Sequence, residues 1–321
     1  MTICSAGLAA QTSQTHIIRS GDPGYAEMMR KIAASDAQWE RVTERYHAPP
    51  NVSKCEPGGL KPSHKQEFLE RLNAVRAIHG LSPVAYAPEY DAETAEAALM
   101  LAVRGQLSHA PGRDWECYTE DGATAARTSN LSGGAVSPYL IWSEEDEKLG
   151  GWLRENASAS IGHRRWLLNP FLDRVSYGRV SAVGDRGARS DGTVLKVFGF
   201  DGTEVPRGRP AMPAFVAYPF GDYPVRYFEP EDRLSFSVIA SPQSAFASNR
   251  VDFSSARILV ACEGRQLGVS SMRWDNEGFG IANNLEWRVR GLKRGEECSV
   301  DISGVRNAPQ EDYRYRFRIV D

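Results

Sequence analysis

The sequence predicts an α+β unit followed by an all-β sandwich. Three observations carry this. Apolar residues recur at helical spacing in three separate stretches before residue 110. Two β-rich runs then flank a loop of turn residues near residue 185. Beyond Gly202 only short strand-like runs remain, and no helical stretch is visible.

The first stretch spans residues 24–46, where Tyr25, Met28, Met29, Ile32, Trp39, Val42 and Tyr46 recur near a 3.6-residue period. One or two added helices are expected there, stopped by Pro49-Pro50. The linker "NVSKCEPGGLKP" follows. A second helix is expected from Ser63, with Ser63 and Gln66 as a capping box and Phe68, Leu69, Leu72, Val75 and Ile78 as its stripe. Gly80 is placed to end it. A third runs from about Asp91 to Gly105, and "QLSHA" then sets His109 at a loop entry. Residues 110–137 read as a long loop with at most one helical turn, and much of 138–155 reads as helix. A short helical segment is expected at 159–168, ended by Asn169-Pro170, because a residue before proline avoids the helical region. "RVSYGRVSAV" and "TVLKVFGF" form a hairpin across "GDRGARSDG", and "VPRGRPAMP" is a linker. The runs "FVAY", "RLSFSVIA", "ARILVAC", "LEWRVR", "ECSVDIS" and "YRYRFRIV" complete the chain. The last alternates, with Tyr313, Tyr315, Phe317 and Ile319 on one face. Six or seven short strands argue for a β-sandwich of immunoglobulin-like architecture. The expected division is a tail and helical extension at 1–57, an α+β domain at 58–205 and the sandwich at 210–321.

A net charge of -3 gives no large electrostatic drive toward nucleic acid. No apolar run approaches the roughly 20 residues that span a bilayer. "SAGLAAQ" near the start looks like the end of a signal peptide, which points to a secreted chain, extracellular or periplasmic; an ordinary chain terminus is the other reading. The five cysteines form no CxxC pair. Cys4 lies in the tail, and two others fall in each half. Disulfides Cys55–Cys117 and Cys262–Cys298 suit an oxidised secreted protein, although the sequence alone does not fix the connectivity and five reduced thiols is the other reading.

Common catalytic signatures are absent: there is no GxGxxG after a strand, P-loop, HExxH or GxSxG elbow. What remains is "LSHAPGRDWECY", "TSNLSGG", "GWLREN" and "GHRRWLLNP". With these motifs in order, residues 60–202 resemble the CAP superfamily of cysteine-rich secretory and pathogenesis-related proteins. "FLERLNAVRAIHGLSPV" looks like the family's first helix and "GQLSH" like the end of its second. "GHRRWLLNP" with "RVSYGRV" looks like the bacterial form of the second-histidine motif. The β-rich tail resembles immunoglobulin-like domains appended to some bacterial members. The resemblance implies an α-β-α sandwich with a central cleft lined by two histidines and two acidic residues. His109 and His163 match the histidines, and Glu155 matches one acid. The other acid comes from a Gly-Glu-Asn triplet in the family. Here Ser129 takes that place and Asn130 keeps the asparagine, so one negative charge is lost.

Two facing imidazoles can bind a divalent metal such as zinc, hydrogen-bond a polar ligand or share protons near neutral pH. The remaining histidines, His16, His47, His64 and His79, read as surface or helix-end residues. Of Arg164 and Arg165, one is expected to pair with a carboxylate and one to be solvated, while Trp166, Leu167 and Leu168 read as core. Ser129 and Ser132 read as turn formers, since no base or oxyanion hole is visible beside them. The expected function is a non-enzymatic module that binds a small molecule, lipid, cell-wall polymer or protein. The alternative is a hydrolase using a metal on His109, His163 and Glu155. A structural envelope protein whose N-terminal helix packs on a partner is a third reading.

Overall fold

The computed structural model describes residues 20–156, 158, 160–184, 187–201 and 212–321. The signal-like segment, Cys4, His16 and most of the "VPRGRPAMP" linker lie outside the described residues.

The helical extension is a single helix, α1 (Tyr25–Thr43), docked on its own chain. Ser35 Oγ donates to the Leu140 carbonyl at 2.7 Å. Gln38 bonds the backbone of Trp142 both ways, at 3.3 and 3.1 Å. The Trp39 and Trp142 rings lie 5.2 Å apart. The sequence led one to expect helix over much of 138–155, but residues 138–144 are not helical, and this docking explains why. The backbone groups of Leu140 and Trp142 are engaged by α1, and helix α5 (Glu145–Arg154) starts only at a capping box between Glu144 and Glu147. Strands β1 (Tyr46–Ala48) and β2 (Gly59–Leu60) pair and lead into α2 (Pro62–Ile78). The expected Ser63 cap is not used. Pro62, whose fixed φ suits the first turn, starts the helix after Lys61, and no side chain caps it. At the other end Gly80 adopts φ +65°, and Leu81 and Gly80 donate to the Arg76 and Ala77 carbonyls, a Schellman ending.

Strand β3 (Ala85–Tyr86) and helix α3 (Asp91–Arg104) follow. Residues 110–137 hold more structure than expected: a two-turn helix α4 (Glu120–Arg127) capped by Thr119, then strand β4 (Ser129–Ser137). Ser129, Asn130 and Ser132 are thus strand residues and not turn formers. Their backbone pairs with Lys196, Leu195 and Thr193, a partner invisible from local composition. Helix α6 (Gly162–Leu167) precedes the expected hairpin of β5 (Arg174–Val183) and β6 (Arg189–Lys196). The sheet order is β3-β5-β6-β4, with β3 parallel to β5 and the other pairs antiparallel.

Alternation along β5 and β6 sorts the two faces. Val180 and Val194 join Ala97, Ala98 and Ala102 of α3 and Ala125 of α4 in one apolar cluster. Val175, Tyr177, Leu195 and Val197 join α2 and α5 on the other face, where Phe68 stacks on Tyr177 at 4.2 Å. The result is helices on both faces of a sheet. Between the layers lies a buried ionic network. Arg179 pairs with Glu145 at 2.5 Å and Asp191 at 3.1 Å; Lys148 pairs with Asp191. His64 Nε2 lies 2.9 Å from Glu145, so His64 is buried and not a surface residue. Burial pushes the Glu145 and Asp191 carboxyls up, but the cations beside them outweigh it and hold both below the usual range.

The C-terminal part is one curled eight-stranded sheet. Its strands are β7 (Phe215–Tyr218), β8 (Gly221–Pro224), β9 (Leu234–Val238), β10 (Arg257–Cys262), β11 (Arg265–Asp275), β12 (Asn284–Arg290), β13 (Glu297–Ser303) and β14 (Tyr313–Val320). The order is β7-β9-β12-β11-β10-β13-β14-β8. The sequence reading missed β8 and β11. It also expected no helix, yet Ala245–Arg250 forms a 3-10 turn. The two ends of the sheet face each other, with Phe236 of β9 5.1 Å from Tyr313 of β14. Disulfides join Cys55 to Cys117 and Cys262 to Cys298. No helix among the described residues is long and apolar enough to cross a membrane.

Candidate functional site

A cleft of about 450 Å³ opens where α4, β4, α6 and the C-terminal sheet meet. His109 enters from the loop after α3. Gly105 ends that helix in the left-handed region, which turns the chain toward α4. There His109 Nδ1 donates to the Ala126 carbonyl at 2.8 Å. In the neutral ring the lone pair is then on Nε2.

His163 sits in the first turn of α6. Its Nδ1 and its backbone N–H both reach Glu155 Oε1, each at 2.6 Å. Glu155 is at the end of α5 with φ +49°, and that left-handed turn aims its carboxylate back toward α6. It is buried behind the imidazole, and its Oε2 has no hydrogen-bond partner among the described residues. A carboxylate so placed orients the ring and leaves Nε2 as the atom available to the cleft. Asn130 Nδ2 donates to the His163 carbonyl at 3.1 Å and ties β4 to α6. Ser129 lines the same cavity, and its hydroxyl is buried without a partner among the described residues. The structure therefore gathers His109, His163, Ser129 and Asn130 around one space, with Glu155 behind His163.

Arg165 pairs with a carboxylate, as expected of one of the two arginines, but neither it nor Arg164 is solvated. Arg164 stacks over Tyr218 at 3.8 Å and donates to the carbonyls of Leu153, Arg154 and Arg233 and to Ser235 Oγ. Arg165 pairs with Asp275 at 2.7 Å and donates to the Ile281 carbonyl at 2.8 Å. Both guanidiniums cross into the C-terminal part, which supplies the acceptors that local sequence could not reveal. Arg165 also fixes the segment that carries Phe279. Gly280 lies so close to α6 that a Cβ there would fall 2.5 Å from the Arg165 carbonyl oxygen, and its φ is +70°. Arg233 reaches back to the Glu155 and Ser158 carbonyls at 3.2 and 2.6 Å, holding the loop beside the cleft.

Leu167 and Leu168 are core, but Trp166 is only half-buried and lines the cleft. Its ring stacks on Phe198 at 4.5 Å, interplanar angle 15°. Phe279 adds a third ring from the C-terminal part. Sequence reading missed Arg127, Phe198 and Phe279. The one local signal was "GFG", a bulky ring between two glycines that both adopt positive φ.

The donor set does not fit a metal held by His109, His163 and Glu155. Among the described residues no three His, Cys, Asp or Glu side chains are grouped to hold an ion. Glu155 faces Nδ1 of His163, the side away from the available nitrogen. Neither imidazole bonds a serine hydroxyl among the described residues; their partners are a carbonyl and a carboxylate.

No match to the chain is found among curated proteins. Residues 69–192, which include both cleft histidines, Ser129, Asn130 and Glu155, match the model of CAP, the cysteine-rich secretory protein family, and carry a CAP domain.

Proposed function

We propose that this chain is a secreted bacterial binding module whose cleft takes a ligand without chemical turnover. The observation that carries this reading is the pair of imidazoles, each fixed through Nδ1 with Nε2 left for the cleft, and neither bonded to a serine among the described residues. Nucleophilic catalysis needs a base in reach of the nucleophile, and metal-assisted hydrolysis needs a complete donor set. Hydrogen bonding to a polar ligand needs neither. Two disulfides are consistent with an oxidising location outside the cell. The division proposed is a helical extension at 1–57, the CAP domain at 58–205 and an immunoglobulin-like unit at 210–321. Facing ends of an antiparallel-rich sheet support the last of these.

The test is titration calorimetry with zinc, alongside saturation-transfer NMR against small acids, lipids and cell-wall oligosaccharides. Expected is ligand signal that His163→Ala and His109→Ala weaken, with zinc bound no tighter than about millimolar, as two imidazoles alone suggest. Micromolar zinc lost in both variants would overturn the reading in favour of the metallo-hydrolase.

A further inference from the structure

The cleft has an electrostatic sign. None of the residues that line it is Asp or Glu. Glu155 is buried behind the His163 ring and off the lining, and position 129 carries a serine. One full cation faces the opening. Arg127 ends α4, is exposed, donates to Thr124 Oγ1 at 2.8 Å and makes no ion pair among the described residues. Arg113 nearby is more typical of a surface arginine, since it pairs with Glu120. Both imidazoles commit Nδ1 to their own partners and present Nε2 as an acceptor, so the positive charge at the polar end comes from Arg127. The other wall is aromatic. Trp166 and Phe198 form a stacked pair, and Phe198 and Phe279 leave 36% and 45% of their surface in water. Rings held open beside a cavity suit a flat apolar body.

We propose that the ligand is a ring-bearing monocarboxylate, its carboxylate held by Arg127, its body laid against Trp166, Phe198 and Phe279. This rests on reading the cleft as a binding site and names the chemistry that the site selects. A neutral isostere would forfeit the charge-assisted bonds, and a cationic one would meet Arg127 directly. Phe279 lies on the connection between β11 and β12 of the C-terminal sheet, so that part takes a share in choosing the ligand.

The test is calorimetric titration of the full chain with 2-naphthoate, 2-naphthamide and 2-naphthylmethylamine, and with a neutral cell-wall oligosaccharide. Naphthoate is expected to bind at least about tenfold tighter than the amide, and the amine more weakly than either. Arg127→Gln, at an exposed position, is expected to weaken acid binding at least about tenfold and so abolish the preference for the acid over the amide. Phe279→Ala is expected to weaken acid and amide alike. Equal binding of acid and amide, or a preference that survives Arg127→Gln, would overturn the charge assignment while the cleft remains a binding site. Binding of the oligosaccharide with none of the naphthalenes would overturn the ligand class. Binding of nothing would sink both this proposal and the reading beneath it.

Discussion

Arg164 is a cation removed from water whose hydrogen bonds go to three carbonyls and a serine hydroxyl, with no carboxylate in ion-pair range among the described residues. Those acceptors come from α5 and β9 or the residues next to them, so the side chain joins the two parts of the molecule. Arg164→Ala would strand them, and a loss of about 3–5 kcal/mol in denaturant unfolding is expected. His79 is a second buried polar residue at this junction, bonded to Tyr223 at 3.2 Å. It was read as a surface or helix-end residue. It does cap α2, but strand β8 covers it. Burial lowers its pKa from 6.5 to about 3. In this interval the unfolded chain takes up a proton that the folded chain refuses. Its contribution is therefore intact above about pH 6.5 and lost progressively as pH falls toward 3. Glu145 and Asp191, both held below their ordinary values, add acid sensitivity from the ordinary carboxylate range downward. His79→Gln is expected to flatten the stability profile between about pH 6.5 and 4.5 and leave the steeper loss below it, which melting across pH would show.

At the scale of elements, the helices of the CAP domain were legible because each carries a stripe of its own. Helices α2 and α3 begin and end within a residue or two of where period and glycine placed them. Strand β4 was not legible, since "SNLSGGAVS" takes its conformation from β6 and not from its own propensities. Strand β11 was missed for a related reason: its exposed, polar-rich course lacks the alternation that marks a half-buried strand. The candidate site divides the same way. His109 and His163 stood in recognisable motifs, whereas Phe198 and Phe279 reach the cleft only through long-range packing. The segment bearing Phe279 offers the sharpest check. Gly280→Ala must displace either this segment or α6, and a destabilisation of roughly 1–3 kcal/mol is expected with weakened binding of any cleft ligand. Unchanged melting and binding would show that the close approach is not obligatory.

Across the whole molecule, the apolar core runs without interruption from α2 and α5 into the C-terminal strands. Arg154 adds ion pairs to Glu229 and Asp232, both at 2.8 Å. The two parts are therefore expected to unfold together, with one calorimetric transition whose enthalpy matches that from near-UV dichroism; two resolved transitions would contradict this. The Cys55–Cys117 bridge closes a separation of 62 residues. Replacing both by serine is expected to cost about 2–4 kcal/mol, read from the denaturant midpoint. The order of the eight-stranded sheet has a consequence of another kind. Its outermost strands, β7 and β8, are neighbours in the chain, separated only by Pro219 and Phe220. Each is four residues long, and β8 ends on a proline. The sheet thus brings its two open margins together at one corner and leaves each too short to recruit a foreign strand, a safeguard against fibril growth in a protein rich in β-structure.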